Sequence, residues 1–199
     1  MGEILEIEPR EVLRYLRLGG NAPGEVLSDR IAALRADALK AASPARAVMR
    51  IPLSQPVVAG WLAKSQALAR HLDGCHAVYL VCGTLGAKFD ALLRKACVKS
   101  AADALVLQAI GTAAIEEWMD AVEAEVAADL AKGETMLRRY SPGYGDFPLT
   151  AQRELLGLLD SARSIGVFLT ETFLMVPSKS VSAVIGVVMG RVYPAPHKA

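Results

Sequence analysis

The segment Arg138–Pro148, RRYSPGYGDFP, gathers side chains that recognise charged ligands. Arg139 presents a planar guanidinium that can donate two parallel hydrogen bonds to a carboxylate or a phosphate. Tyr144 adds a hydroxyl group and an aromatic face, which attracts cations. These residue types predict a site for a small molecule that carries both a carboxylate and a cation. The alternative is a surface turn whose arginine pairs with an acid and whose tyrosines cover the core.

The same segment has the residues of a tight turn. Pro142 restricts its own φ angle and Gly143 accepts a positive φ angle, so the two suit the central positions of a type II turn. Gly143 and Gly145 also lack side chains, which lets a ligand approach the backbone. We therefore predict that the turn forms part of the binding site.

Two further segments contain candidate ligand-binding groups. Cys82–Gly86, CGTLG, follows an apolar run and precedes a helical pattern, and amides at such a turn can bind an anion. The segment has neither GxGxxG nor GK[ST], so a tightly packed turn is the alternative. Glu116 follows the small residues of GTAAI, where a ligand could approach closely, although Glu116 and Glu117 also suit a solvated helix face. Trp118 is predicted to lie in the core or at an interface.

Composition argues against several classes of function. The chain has 22 Lys and Arg residues against 21 Asp and Glu residues, so no general positive field favours nucleic acid. Cys75, Cys82 and Cys97 form no CxxC pair, which suits a reducing compartment. The His residues are too scattered to predict a metal site, and no pattern of nucleophile and base predicts a catalytic residue.

The N-terminus has acids where a signal peptide would have bases, and no apolar run approaches the roughly 20 residues that span a bilayer. We therefore expect a cytoplasmic protein that does not enter a membrane.

The 199 residues are expected to form one unit, residues 1–199. Several predicted strands adjoin without helices between them, which favours an α+β or mixed-sheet domain over a doubly wound parallel one. Alternating or apolar β-prone runs predict strands at Ile4–Ile7, Ala47–Leu53, Ala77–Cys82, Phe168–Met175 and Ser180–Val188. Helical patterns cover Glu11–Leu18, Gly24–Ala42, Gln66–Leu72, Lys88–Lys99, Ala101–Lys132 and a segment from the N-cap Thr150 to Ala162.

Four segments together resemble a known family. They are CGTLG, QAIGTAAIEEWMD, RRYSPGYGDFPLTAQRELLGLL and IGVFLTETFLMVPSKSVSAVIGV. Their order and spacing resemble the activation (reactivation) domain of vitamin B12-dependent methionine synthase, particularly its short stand-alone relatives. The resemblance covers Ala77–Val188, whereas residues 1–75 match only in general size and style.

The resemblance implies a fold and a function. The fold is α+β, with a twisted, mainly antiparallel sheet and flanking helices. The function is to bind S-adenosylmethionine in a shallow groove and to dock onto a cobalamin-carrying protein, so that cob(II)alamin is reductively methylated. The partner would be methionine synthase or another corrinoid protein, and the electron would come from flavodoxin or another redox protein.

The family's Arg-x-x-x-Gly-Tyr signature falls on Arg139, Gly143 and Tyr144. The resemblance implies that Arg139 binds the methionyl carboxylate and that Tyr144 and the adjacent backbone lie near the sulfonium. Glu116 resembles a family acid that faces the ligand's ammonium or ribose. Pro142 completes the turn.

One departure from the family pattern affects the binding prediction. Full-length methionine synthases continue with a Cys-Pro-Asp-His type segment where this chain has Gly145–Pro148, GDFP, the form of the stand-alone relatives. Gly145 is still counted with the ligand-binding residues. Two alternatives remain: an interaction module that docks to a corrinoid protein without S-adenosylmethionine, and a binding protein for another carboxylate or nucleotide.

Overall fold

The computed structural model describes residue 5, residues 7–18 and residues 24–190. The strand predicted over Ile4–Ile7 lies partly outside these residues, and neither Leu5 nor Ile7 belongs to a strand. The helices are α1 Pro9–Tyr15, α2 Glu25–Ala41, α3 Pro56–Lys64, α4 Gln66–His71, α5 Ala87–Lys99, α6 Ala101–Asp129, α7 Ala151–Leu158 and α8 Ser161–Ser164. The strands are β1 Ala45–Pro52, β2 Cys75–Thr84, β3 Glu134–Met136, β4 Phe168–Leu169, β5 Met175–Val176 and β6 Ser180–Met189.

The main sheet has the strand order β1-β2-β6-β3, and every neighbouring pair is antiparallel. β2 and β6 form its centre, with Tyr79 opposite Ile185 and Thr84 opposite Ser180. Both strands are rich in β-branched residues and almost wholly buried, which is typical of strands covered on both faces. The α+β prediction with a mainly antiparallel sheet is confirmed.

Helices cover both faces of this sheet. Tyr79 and Val81 of β2 point into a core shared with α1, α2, α5 and α6. Val78 and Leu80 point into a second core with α3, α4 and α7. The alternation follows from the two-residue period of a strand. Each fully buried Val or Leu contributes about 1.5–3 kcal/mol to stability through lost apolar exposure.

Gly111 lies in the middle of α6, the longest helix. A Cβ atom at this position would lie 2.7 Å from Phe89 Cε1 and 2.8 Å from Lys179 Cε. The aliphatic part of Lys179 crosses the helix here, and its Nζ donates to Gln108 O at 3.1 Å and Thr112 Oγ1 at 3.0 Å. Close packing therefore explains why position 111 is a glycine, although glycine is less favourable than alanine in a helix by about 1 kcal/mol.

Two predicted elements were wrong. The helix predicted from Thr150 to Ala162 is two helices, α7 and α8, because Asp160 has a positive φ of 45°. Thr150 makes no side-chain cap hydrogen bond. The strand predicted over Phe168–Met175 is a hairpin, β4–β5, in which the amide of Leu174 donates to Thr170 Oγ1 at 3.0 Å.

The sequence patterns did not predict α3 or β3. Pro56 follows the strand predicted over Ala47–Leu53, and it lies in the first turn of α3, a position that favours proline. β3 contains only three residues, too few for a recognisable period, and it forms by pairing with β6.

Candidate functional site

The predicted turn is present between β3 and α7. The amide of Tyr144 donates to Ser141 O at 3.1 Å, and Gly143 has a φ of 91°, as a type II turn requires at its third residue. Gly145 also has a positive φ, 55°. A Cβ atom there would lie 2.7 Å from Tyr140 Oη. Both glycines are therefore needed for the shape of the turn.

The turn is attached to the sheet and to α4. Tyr140 pairs with Val184 of β6 through N–O distances of 2.8 and 2.9 Å. Asp146 accepts hydrogen bonds from Ser65 Oγ and from the amides of Gln66 and Ala67 at the start of α4. The Ser65 hydroxyl, followed by these amides, lowers the pKa of Asp146. Asp146 thus holds the turn in place, a role that sequence analysis did not predict.

Arg139 precedes the turn and contacts three carboxylates of α6. Its Nη1 lies 2.5 Å from Glu123 Oε1 and 3.3 Å from Asp120 Oδ1, and its Nη2 pairs with Glu116. The acids follow one another at intervals of four and three residues, which places them on one face of the helix. Glu116 and Arg139 were predicted site residues, and the structure brings them together.

Asp120 and Glu123 were missed, although their spacing from Glu116 was visible in the sequence. Burial raises the pKa of Glu123, and the positive charge of Arg139 only partly opposes this effect. Burial tends to lower the pKa of Arg139, but Glu123 and Glu116 outweigh it and the pKa is raised. One guanidinium among three acids leaves a negative potential, which attracts a cation.

The two tyrosines of the segment have different environments. Tyr144 is 70% exposed. Tyr140 packs against His71 and Phe147, with ring centroids 4.9 and 6.3 Å away. Only Tyr140 therefore covers the core, and Tyr144 is free to contact a ligand or a partner.

An open groove of about 580 Å³ borders the turn. This volume is within the range of about 300–1,000 Å³ that is usual for small-molecule sites. The walls come from Ser141 and Pro142 of the turn, Leu149 and Gln152 beside it, and the segment that includes the β4–β5 hairpin and the start of β6. Ser141, the first residue in chain order that lines the groove, comes two residues after Arg139.

The unpaired edge of β6 lies along this groove. The backbone N–H and C=O of Val184 point toward Tyr140, away from β2. Because these groups alternate between the two edges of a strand, those of Ser182 point to the same edge as those of Val184. No strand in the described part of the chain pairs with Ser182 there. Ser182 also lines the groove, so this edge can contact a ligand.

The CGTLG turn uses its amides within the protein. Leu85 N donates to Lys179 O at 2.9 Å, and Gly86 N donates to Thr84 Oγ1 at 3.1 Å. A Cβ atom on Gly86 would lie 3.0 Å from Ser43 O. The structure therefore has the tightly packed turn rather than an anion site. Trp118 lies in the core, as expected, and its Nε1 donates to Ala45 O.

The described residues contain no group of three or more His, Cys, Asp or Glu side chains that could hold a metal ion. Over the same part of the chain, no helix combines the length and the apolar composition needed to cross a membrane.

The structure is that of an α+β domain with an open groove beside a glycine-containing turn. The family model for the activation domain of vitamin B12-dependent methionine synthase matches residues 84–191, which include α6, the turn and β6. The chain belongs to this family. A search of curated proteins finds no match.

One solved structure is similar over nearly the whole chain. It is a crystal structure of the MetH reactivation domain bound to AdoHcy, with a TM-score of 0.61 and 16% sequence identity. The similarity covers 94% of this chain and 71% of that one. At this level of identity the comparison establishes a common fold, which includes the N-terminal part that the family model does not cover.

Proposed function

We propose that this chain binds S-adenosylmethionine and acts as a reactivation partner of a B12-dependent methionine synthase or a related corrinoid protein. Family membership supports the assignment, as does the common fold with a domain whose crystal structure contains AdoHcy. The observation that carries the proposal is the position of Arg139. It lies among the carboxylates of α6 and directly precedes the glycine-containing turn, and Ser141 and Pro142 of that turn border the open groove.

The charged side chains around Arg139 fit the carboxylate and the ammonium group at the methionyl end of S-adenosylmethionine. The side chains of Glu116 and Asp120 are 43% and 52% exposed, whereas that of Glu123 is only 11% exposed. Glu123 holds the guanidinium in place, and a ligand carboxylate replaces Glu116 as the partner of Arg139. Glu116 then faces the ligand's ammonium group. This exchange keeps every charge paired, as partly buried charges require.

The turn would hold the sulfonium region. Gly143 allows the ligand to approach the backbone, and the exposed ring of Tyr144 presents a face to the positive sulfur. Pro142 and Gly145 maintain the shape of the turn. S-adenosylmethionine supplies a methyl group to the cobalamin of the partner protein. The residues of this chain bind and orient the ligand, so acid and base groups are not required.

The extent of the domain, its location in the cell and its partners are also proposed. We expect residues 1–199 to act as one unit in the cytoplasm. The cobalamin is carried by a partner protein, and flavodoxin or another redox protein provides the electron.

A second function is favoured by one feature of the site. Arg139 already contacts three carboxylates of its own chain, so its charge is satisfied without a ligand. An interaction module that docks to a corrinoid protein without S-adenosylmethionine would keep these ion pairs because they join the segment before the turn to α6.

Calorimetric titration with S-adenosylmethionine distinguishes the two functions. We expect the native protein to bind and Arg139→Met to weaken binding about 30-fold or more, because a carboxylate loses its charged partner. Glu123 would be left buried and unpaired in that variant, so the double variant Arg139→Met/Glu123→Gln is measured as well. Arg138→Met is the matched control, since Arg138 is exposed.

Equal affinity of native protein and folded Arg139 variants would overturn the role of Arg139. Absence of both binding heat and a thermal shift in the native protein would support the interaction module.

A further inference from the structure

Gln152 is a buried polar residue in the wall of the groove. It lies in the first turn of α7 and is only 4% exposed. Its Oε1 atom is buried and accepts no hydrogen bond from the described residues. A buried acceptor without a partner lowers stability, so such groups in folded proteins call for an explanation.

Three other polar side chains of the groove do have partners. Thr170 Oγ1 accepts from the amide of Leu174, Ser178 Oγ donates to Asp90, and Ser180 Oγ donates to Pro177 O. These hydroxyls stabilise the loops that form the groove. Gln152 differs from them, because its Oε1 has no such role in the described structure.

We infer that the side-chain amide of Gln152 recognises the adenine base of the ligand, an inference that rests on the proposed function. A primary amide has an acceptor beside a donor, and it pairs with the N6 and N7 edge of adenine in a bidentate manner. Once the side-chain amide rotates so that both of its polar atoms face the groove, Oε1 accepts from the N6 amino group and Nε2 donates to N7. The side chains of Leu149, Phe173 and Leu174 line the same groove and provide apolar contacts for the faces of the base.

This assignment places the two ends of the ligand on different parts of the site. The methionyl end lies at Arg139, and the base lies along the groove toward α7. Hypoxanthine has a carbonyl oxygen where adenine has the N6 amino group. Its O6 and N7 are both acceptors, so neither can donate to Oε1 of Gln152.

The test compares S-adenosylhomocysteine with S-inosylhomocysteine by calorimetry. We expect the native protein to prefer the adenosyl compound by about 10- to 100-fold, the range for one bidentate base contact. Gln152→Leu should bind the two compounds equally. Gln55→Leu is the matched control, because Gln55 is exposed and makes no side-chain cap hydrogen bond at the start of α3. It should retain the native preference.

Thermal unfolding of the ligand-free variants separates recognition from a structural role. Gln152→Leu replaces an amide whose buried Oε1 has no partner among the described residues with an apolar side chain, so its melting temperature should equal or exceed that of the native protein. A lower melting temperature with the adenosyl preference intact would overturn the inference. So would tight binding of both compounds by the native protein.

The outcomes also separate this inference from the function on which it rests. If the native protein binds neither compound, the proposed function fails and the role of Gln152 fails with it. If S-adenosylhomocysteine binds without discrimination between the bases, only the inference about Gln152 is wrong.

Discussion

Arg139 and Glu123 form the least exposed ion pair of the binding region, with side chains 20% and 11% exposed and Nη1 2.5 Å from Oε1. The pair joins the segment before the turn to α6, which lies earlier in the chain. Because both groups are largely removed from water, each depends on the other for charge compensation. The more exposed Glu116 and Asp120 can change partners at lower cost.

Glu123→Gln should change how stability depends on pH. The pKa of Glu123 is raised in the folded protein, chiefly by burial. The folded state therefore holds this proton more tightly than the unfolded state, and the contribution of Glu123 falls as pH rises above the ordinary glutamate pKa. The free energy of unfolding, measured by urea denaturation between about pH 4 and pH 8, should decline less with rising pH in Glu123→Gln than in the native protein.

Glu117→Gln on the same helix is the control for this measurement. Parallel pH profiles for the native protein and Glu123→Gln would contradict the assignment of this titration to Glu123.

The stabilisation that Glu134 provides should depend on pH in the opposite direction to that of Glu123, and Glu134→Gln tests this. Arg50, the amide of Ala131 and His76 lower the pKa of Glu134 to about 2. The stabilisation is fully present above the ordinary glutamate pKa and is lost as pH falls toward about 2. The native protein should therefore be more stable than the variant at neutral pH, and the difference should shrink on acidification. A stability difference that stays constant with pH would exclude the ionised Glu134 as its source.

Gly111→Ala and Gly157→Ala should have effects of opposite sign. The new Cβ at Gly111 meets Phe89 and Lys179, so overpacking should lower the free energy of unfolding by about 1–3 kcal/mol. At Gly157 in α7, no atom in the described part of the chain lies within 4 Å of the corresponding Cβ position. Alanine there should stabilise the protein by about 0.5–1 kcal/mol. Urea denaturation measures both changes, and stabilisation by Gly111→Ala would contradict the close packing of Lys179 over α6.

Gly145→Ala should distort the turn. Its φ of 55° is unfavourable for alanine by about 1–2 kcal/mol. The new Cβ would also contact Tyr140 Oη. The double variant Gly145→Ala/Tyr140→Phe removes that hydroxyl and should recover part of the lost stability in thermal unfolding. If Tyr140→Phe gives no recovery, backbone strain alone explains the loss.

Local sequence was sufficient to predict much of the fold. The apolar, β-branched segments Ala77–Cys82 and Ser180–Val188 are buried strands, and Ala101–Lys132 is a long helix that ends at Asp129. These elements have strong periodicity over many residues. The short elements α3 and β3 were missed, and α8 was not separated from α7, because three to nine residues carry little periodic signal.

The sequence by itself determined the type II turn, since Pro142 and Gly143 restrict the backbone through their own covalent structure. It also indicated Arg139, Glu116 and the family to which the chain belongs. That residues 1–199 act as one unit stays a prediction.

Only the tertiary structure decided what these residues contact. Arg139 meets Glu123, Asp146 caps α4 about 80 residues earlier in the chain, and Gln152 Oε1 is buried without a hydrogen-bond partner among the described residues. Contacts between residues distant in sequence depend on how β6, α6 and α7 pack together. Packing is a property of the whole chain, because each buried surface forms only when its partner element is in place.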